Sequence, residues 1–348
     1  MSVFGGKRTV DKLRQAYEAA WARLQHEEPT YVQSPQDAAF SNALRSWLIF
    51  HDAMLIGEVI PQLYEYLRSN PGAPERSEFL HILVDEFQDL NKAEQGVIDL
   101  LSHIAHVSIV GDDDQSIYSF KHARPEGIRD WLTANAAADD LQLNECRRCP
   151  TTVVHMTNSL ISHNQMRLVP RQLVPRVENG PGLVRIIQYQ SLGDEVAGVA
   201  NMVTNMIDSG TPPGDILILA QRGVIGTPIY EALQGRNVPV RSYYSEAELD
   251  SQQAQRRFAL LKLFVDREDK VALRWLVGVD GNNWNASGYK RVRKQSEDTG
   301  QTPWQILEQL SNGALSLPYT GSIVGSFNQI VAELNRLEEL TNLEAVVD

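Results

Sequence analysis

The chain has 348 residues, 43% hydrophobic and 22% charged, a balance that suits a globular protein of two or so domains, each able to bury a core. A net charge of −12 excludes a surface that is basic throughout, and leaves room for a narrow nucleic-acid track built from locally placed cations and aromatics. There is no apolar run of about 18 residues, no apolar segment after Met1 and too few cysteines for a disulfide framework, so the expectation is a cytoplasmic protein without a membrane span.

Residues 9–25 predict a helix, because Val10, Leu13, Ala16, Tyr17, Ala20, Trp21 and Leu24 recur on one face. A polar loop over 26–35 follows, then a second helical block over roughly 37–67 that ends in the turn Asn70-Pro71-Gly72-Ala73-Pro74. Two apolar runs, 81–84 and 107–110, read as buried parallel strands, with a helix over 92–103 between them. A helix begins after Arg124-Pro125, 141–143 reads as a short strand, and 152–163 as another helix. Beyond the Pro/Arg-rich stretch 169–175, strands at 183–188, 215–220 and 238–243 alternate with helices at 194–209 and 227–235. That β-α-β-α-β order predicts a second parallel sheet. Residues 249–266, 270–276 and 326–347 read as helices.

The chemistry collects where the first two strands end. Ile82-Leu83-Val84 runs into Asp85-Glu86-Phe87-Gln88-Asp89, and Ile109-Val110 runs into Gly111-Asp112-Asp113-Asp114-Gln115. Parallel strands deliver such groups to the carboxyl edge of a sheet, where open α/β folds bind ligands. An Asp-Glu pair there has the chemistry for nucleotide hydrolysis: one carboxylate holds Mg²⁺ and the other activates water. The plainer reading of Asp85 and Glu86 is helix capping. Asp112, Asp113 and Asp114 read as a solvated turn, since three adjacent carboxylates repel one another.

The stretches DEFQD (85–89) and GDDDQSIYSFKHARP (111–125) resemble motifs II and III of the UvrD/Rep/PcrA family of superfamily 1 DNA helicases. The resemblance implies an α/β fold of RecA-like, P-loop NTPase-type parallel sheets, here partial, with helical insertions. It implies ATP and Mg²⁺ as cofactors, and single-stranded DNA and duplex junctions as partners. By the same resemblance Asp85 binds Mg²⁺, Glu86 polarises water, and Gln115 contacts the γ-phosphate. Phe120 stands where the family stacks an aromatic, usually Trp, on a base. Tyr118 is a second stacking candidate or simply core, and Lys121 stands in place of an Arg.

Leu143-Asn144-Glu145-Cys146-Arg147-Arg148 resembles motif IV. Arg148 matches its phosphate-contacting arginine, and Arg147 replaces a tyrosine that stacks on adenine. Cys146 replaces the usual Asn, a departure that puts the adenine pocket in doubt. Arg222 resembles an arginine near the DNA backbone. The basic run Tyr289–Lys294 (289–294) touches duplex DNA or, more simply, is a solvated helix face. Cys146-Arg147-Arg148-Cys149 has the spacing of half a zinc site or a redox pair, but no second Cys pair exists, and His122 and His155 do not complete a usual zinc spacing.

The sequence lacks one family part, the Gly-rich loop ending in Gly-Lys-Ser/Thr that wraps the β- and γ-phosphates. Gly5-Gly6-Lys7-Arg8-Thr9 puts Arg8 where that loop needs Ser or Thr. Family motifs with Lys-Gly-Leu-Glu and Thr-Arg-Ala cores are absent too. The expectation is therefore a central piece of a 3′→5′ helicase, inactive on its own, for repair, replication restart or phage defence. Its expected division is 1–75, the end of a helical insertion or a plain packing layer; 76–165, part of a first RecA-like domain; 166–269, the start of a second; and 270–348, the start of another insertion. The alternative is a degenerate helicase-like module that binds DNA or a partner without ATPase activity.

Overall fold

A computed structural model describes residues 4–28, 33–164, 172–242, 251–279 and 281–339. The chain divides into two compact units, Met1–Arg185 and Ile186–Asp348.

The first unit opens with α1 (Lys7–Ala22) and α2 (Pro35–Phe50). Their apolar faces meet in a cluster of Tyr17, Phe40, Leu44 and Leu48, joined by Val10, Leu13 and Trp21. Ser34 fixes the start of α2 by accepting from the Asp37 N–H at 3.1 Å, with Pro35 next in the chain. The single helical block expected over 37–67 is in fact two helices. Asp52 turns left-handed (φ 48°), the Ala53 N–H returns to Leu48 O at 3.0 Å, and α3 (Val59–Ser69) starts afresh. Buried Glu58 bridges the break: it accepts from the Leu55 N–H at 2.8 Å and from the Tyr17 hydroxyl. Pro61 falls in the first turn of α3, where its missing N–H breaks no bond.

Next come β1 (His81–Val84), α4 (Lys92–Leu101) and β2 (His106–Ile109). The strands pair in parallel, with His81 opposite His106 and Val84 opposite Ile109. Asn91 and Glu94 cap α4 reciprocally, each accepting from the other's N–H. Both strands were expected to be buried on both faces. One face packs instead: Ile82, Val84, Val107 and Ile109 are half-buried, while Leu83 is 81% exposed. After α5 (Gly127–Ala134), the strand expected at 141–143 is absent, and Leu141 and Leu143 are exposed. The pairing falls later. β3 (Glu145–Cys146) runs parallel to β4 (Val174–Pro175), because Asn144 O finds its donor in the Val174 N–H at 2.8 Å. Helix α6 (Thr151–Ile161) lies between them in sequence.

In the second unit α7 (Leu192–Asp208) and α8 (Gly223–Gln234) share a core of Ala200, Val203, Ile229 and Leu233. Ile216, Ile218, Val238 and Val240 pack on that core. The three strands expected in this unit form no ladder among the described residues; Tyr243 lies outside those residues. What forms is extended chain with one face packed and the other bare: Leu217 and Leu219 are exposed.

The rest is helical: α9 (Gln252–Val265), α10 (Lys270–Val279), α11 (Ala286–Thr299), α12 (Pro303–Ser311) and α13 (Gly321–Glu338). Leu263, Leu273, Val277, Val292, Ile306, Phe327 and Leu334 are fully buried there. The last helix expected in this region, over 326–347, begins earlier, at Gly321, and ends at Glu338; residues 340–347 of the expected span lie outside the described residues. Arg256 makes a bidentate pair with Glu333, both distances 2.7 Å, which ties α9 to α13. No described helix is long and apolar enough to cross a membrane. The α/β character is thus carried by short parallel sheets inside a largely helical chain.

Candidate nucleotide-site edge

The parallel register of β1 and β2 brings both carboxylate-bearing ends to one edge. The ladder is prolonged past the strands: the Val110 N–H donates to Val84 O at 2.7 Å, and the Phe87 N–H to Val110 O at 3.0 Å. Asp85 and Glu86 follow β1 directly, both exposed. Glu86 is left-handed (φ 52°), a conformation that non-glycine residues adopt at a cost and that concentrates at functional sites. Phe87, next in the chain, is buried and anchors the turn.

The residue that ties the edge together is Gln88. Its side chain is 1% exposed. Its Oε1 accepts from the Asp112 N–H at 3.0 Å, and its Nε2 donates to Glu86 Oε2 at 2.7 Å. One amide thus spans the two strand ends and orients the Glu86 carboxylate. Gly111 makes this approach feasible. A Cβ there would lie 2.7 Å from Gln88 Oε1, 3.1 Å from Ile128 Cδ1 and 3.3 Å from the Phe87 nitrogen. Reading the sequence missed Gln88. The one available signal was an amide two residues past a carboxylate pair, and its partner lies in another strand's turn.

Past Gly111 the chain folds on Asp112. Asp112 Oδ1 accepts from the Asp114 N–H at 3.1 Å, and its Oδ2 from Gln115 Nε2 at 2.8 Å. Gln115 is exposed on this same turn. Next, Tyr118 and Phe120 meet edge to face at 5.7 Å, with Lys121 Nζ 4.9 Å from the Tyr118 ring centroid. Phe120 is 71% exposed. Tyr118 is exposed as well, not part of the core.

The remaining candidates fall elsewhere. Arg147 and Arg148 are exposed in the turn after β3, and the Arg147 guanidinium is 3.9 Å from Glu145. Among the described residues no hydrogen bond or ion pair joins either arginine to Asp85, Glu86 or Gln115. Arg222 belongs to the second unit, where its carbonyl starts α8 by accepting from the Ile225 and Gly226 N–H groups. In the basic run Tyr289 is buried, which pushes its phenol up, and the Arg274 guanidinium lies 4.7 Å from the centroid of its ring. Arg293 and Lys294 pair with Glu297 and Asp298, each at 2.7 Å, so much of that charge is already matched.

Residues 8–133 match the family described as the UvrD/REP helicase N-terminal domain. DNA helicase II of Escherichia coli (strain K12) is 30% identical over 236 residues, covering 68% of this chain and 32% of that protein. The sequence is UvrD/Rep/PcrA-like. DNA helicase II of Salmonella typhimurium is 29% identical over the same share of each chain, 68% and 32%. ATP-dependent DNA helicase PcrA of Staphylococcus aureus (strain NCTC 8325 / PS 47) is 23% identical over 294 residues, 84% of this chain and 38% of its own length. The matched stretch thus spans about a third of each of these relatives, 32% to 38%.

Proposed function

We propose that this chain supplies part of an ATP-driven, 3′→5′ DNA helicase motor, with the edge at Asp85, Glu86 and Gln115 facing the nucleotide. The observation that carries the reading is the link through Gln88 between the Asp85-Glu86 turn and the Gly111–Gln115 turn. The donor set suits Mg·ATP: exposed carboxylate oxygens are the hard ligands Mg²⁺ takes. Bound Mg²⁺ would neutralise phosphate charge. Asp85 would hold it, directly or through water. Glu86, its Oε2 held by Gln88, would take the proton of the attacking water on its other oxygen. Gln115 would sense the γ-phosphate, and Phe120, five residues on with Tyr118 and Lys121, would stack on and steady single-stranded DNA. Arg148, Arg147 and Arg222 would complete the phosphate, adenine and DNA-backbone contacts.

In this reading residues 76–165 and 166–269 are parts of two RecA-like domains, with helical insertions over 1–75 and 270–348. A second reading, a helicase-like binding module without ATPase activity, is favoured by one feature: after Gly6-Lys7, Arg8 stands where a phosphate loop needs Ser or Thr.

Two measurements test the proposal. The 348-residue chain should show no ATPase above a Glu86→Gln control, because phosphoryl transfer depends on the missing Lys and N–H cradle. It should bind single-stranded DNA in a salt-sensitive way, and Phe120→Ala should weaken that binding about 5- to 150-fold, the loss of about 1–3 kcal/mol of stacking. Unchanged DNA affinity in Phe120→Ala would reduce Phe120 to a packing residue. Adding a phosphate-binding segment upstream separates the two readings: Glu86-dependent ATPase should appear if the edge is a motor, and stay absent if it is a binding module.

A further inference from the structure

The structure assigns Cys146 and Cys149 to a modification site: a vicinal dithiol that a low-molecular-weight disulfide oxidises to an intramolecular disulfide. In sequence the pair has no partner beyond itself. In the fold each thiol has the other. Cys146 ends β3, and Cys149 sits immediately before Pro150, the N-cap of α6. The two thiols share one short turn, and each acts on the other's titration. Both side chains are partly exposed, so a small reagent can enter.

Hydrogen bonds on both sides hold the turn that carries the two cysteines. Asn179 Nδ2 donates to Arg147 O at 3.0 Å and to Cys149 O at 3.1 Å. The Thr151 N–H donates to Gly180 O at 3.0 Å, and Cys146 pairs with Pro175 across the β3–β4 ladder. A metal is the poorer occupant. Among the described residues no third His, Cys, Asp or Glu gathers with this pair, and a closed structural zinc site takes four ligands.

The two sulfurs differ in a way that sets the order of steps. The Cys149 and Arg148 N–H groups favour a thiolate on Cys146 and hold its thiol below the usual range. Burial, followed by the adjacent Cys146, pushes the Cys149 thiol up. The Cys146 thiolate attacks one sulfur of the reagent disulfide, forming a mixed disulfide and releasing one thiolate, which takes a proton. Cys149 then loses its proton and attacks the Cys146 sulfur, expelling the second thiol. Two protein thiols are oxidised, and one reagent disulfide is reduced to two thiols. Arg147 and Arg148 lie within the ring so formed, so oxidation would restrict both arginines. That consequence rests on the nucleotide reading, whereas the dithiol does not.

The test is oxidation of the full chain with oxidised glutathione, read by intact mass and by peptide mapping without reductant. The expected product is lighter by two hydrogens, about 2 Da, with Cys146 linked to Cys149. Cys149→Ser should stop at one glutathione on Cys146, and Cys146→Ser should react at least about threefold more slowly than Cys149→Ser. If either variant folds poorly, substoichiometric alkylation of the unaltered chain reads the same order, with Cys146 labelled first. Stable glutathione on both residues, disulfides only between chains, or equal labelling of the two cysteines would overturn the assignment. None of these readouts depends on nucleotide or DNA, so the dithiol and the helicase reading fail separately.

Discussion

Two regions of this molecule have the same sequence pattern and different local order. In the first unit, apolar runs at 81–84 and 106–109 form a parallel ladder. In the second, the run Asp215-Ile216-Leu217-Ile218-Leu219-Ala220 is as apolar and alternates in burial just as cleanly, yet forms no strand among the described residues. Hydrophobic alternation decides which face packs, and both regions obey it. Pairing needs more. In the first unit a buried amide and a glycine lock the two strand ends together, through Gln88 and Gly111. The corresponding segments of the second unit pack through apolar side chains on α7 and α8. The lesson is that an edge bearing charged groups is held from beneath by a satisfied polar link, because the carboxylates themselves need to stay exposed.

The sharpest way to break this contrast is to fill the space over the clasp. Gly111→Ala should destabilise the first unit by about 2–3 kcal/mol, since the added Cβ meets Gln88 Oε1 at 2.7 Å and backbone at 3.3 Å. Gly214→Ala in the second unit meets nothing within 4 Å and should stay within about 0.5 kcal/mol. The chain has two units, so one melting curve would blur them. Hydrogen exchange resolved to peptides over 106–118 is the suitable readout. Equal effects from the two alanines would remove the clasp from the account.

A smaller change tests the amide itself. Gln88→Leu keeps the burial and removes both hydrogen bonds, stranding the Asp112 N–H. The expected loss is about 1–2 kcal/mol, with faster exchange at Asp112 and a Glu86 carboxylate no longer held. Leu219→Thr, at a side chain 86% exposed, is the matched control and should change stability by less than about 0.5 kcal/mol. If Leu219→Thr proved as harmful as Gln88→Leu, the bare face of the second unit would be doing structural work that these contacts do not reveal.

Much of the first region was legible in sequence, for a physical reason. A β-branched run that stops at carboxylates has few alternatives, so β1, β2 and the edge bearing Asp85, Glu86 and Gln115 could be read from the residues and from the family they resemble. Gln88 could not, because a side-chain amide declares no partner, and its partner lies 24 residues away. The strand expected at 141–143 failed because two leucines suggested burial. The pairing was set instead by the Val174 N–H, far along the chain, meeting Asn144 O. The break at Asp52 was hidden because helical periodicity continues through it, and only the left-handed residue and buried Glu58 reveal the turn. In the second unit, sequence fixed the faces through Ile216 and Ile218 but not the pairing, since a ladder depends on what lies alongside.

The smallest expected effect concerns acid, and it sharpens the comparison by acting on the aromatic loop beyond the clasp. His122 follows Lys121 in a left-handed conformation (φ 66°), and its buried Nδ1 has no hydrogen-bond partner. Burial, with help from the nearby Arg23 and against the opposing pull of Glu18, holds its imidazole below the usual range. A base whose folded pKa is lowered takes up protons more readily when unfolded. Its contribution to stability is therefore present above the unfolded value of about 6.5 and is lost as pH falls through the folded value. Lowering the pH from 7.5 towards 5 should loosen residues 118–124 before the β1–β2 ladder, by less than about 1 kcal/mol once solvent screening of a partly exposed ring is allowed for. His122→Asn tolerates the left-handed backbone and removes the titrating ring, so it should flatten that dependence while leaving stability at pH 7.5 nearly unchanged. Hydrogen exchange at the two pH values, corrected for intrinsic rates, measures it. An equally steep acid response in His122→Asn would assign the sensitivity to the carboxylates of the edge.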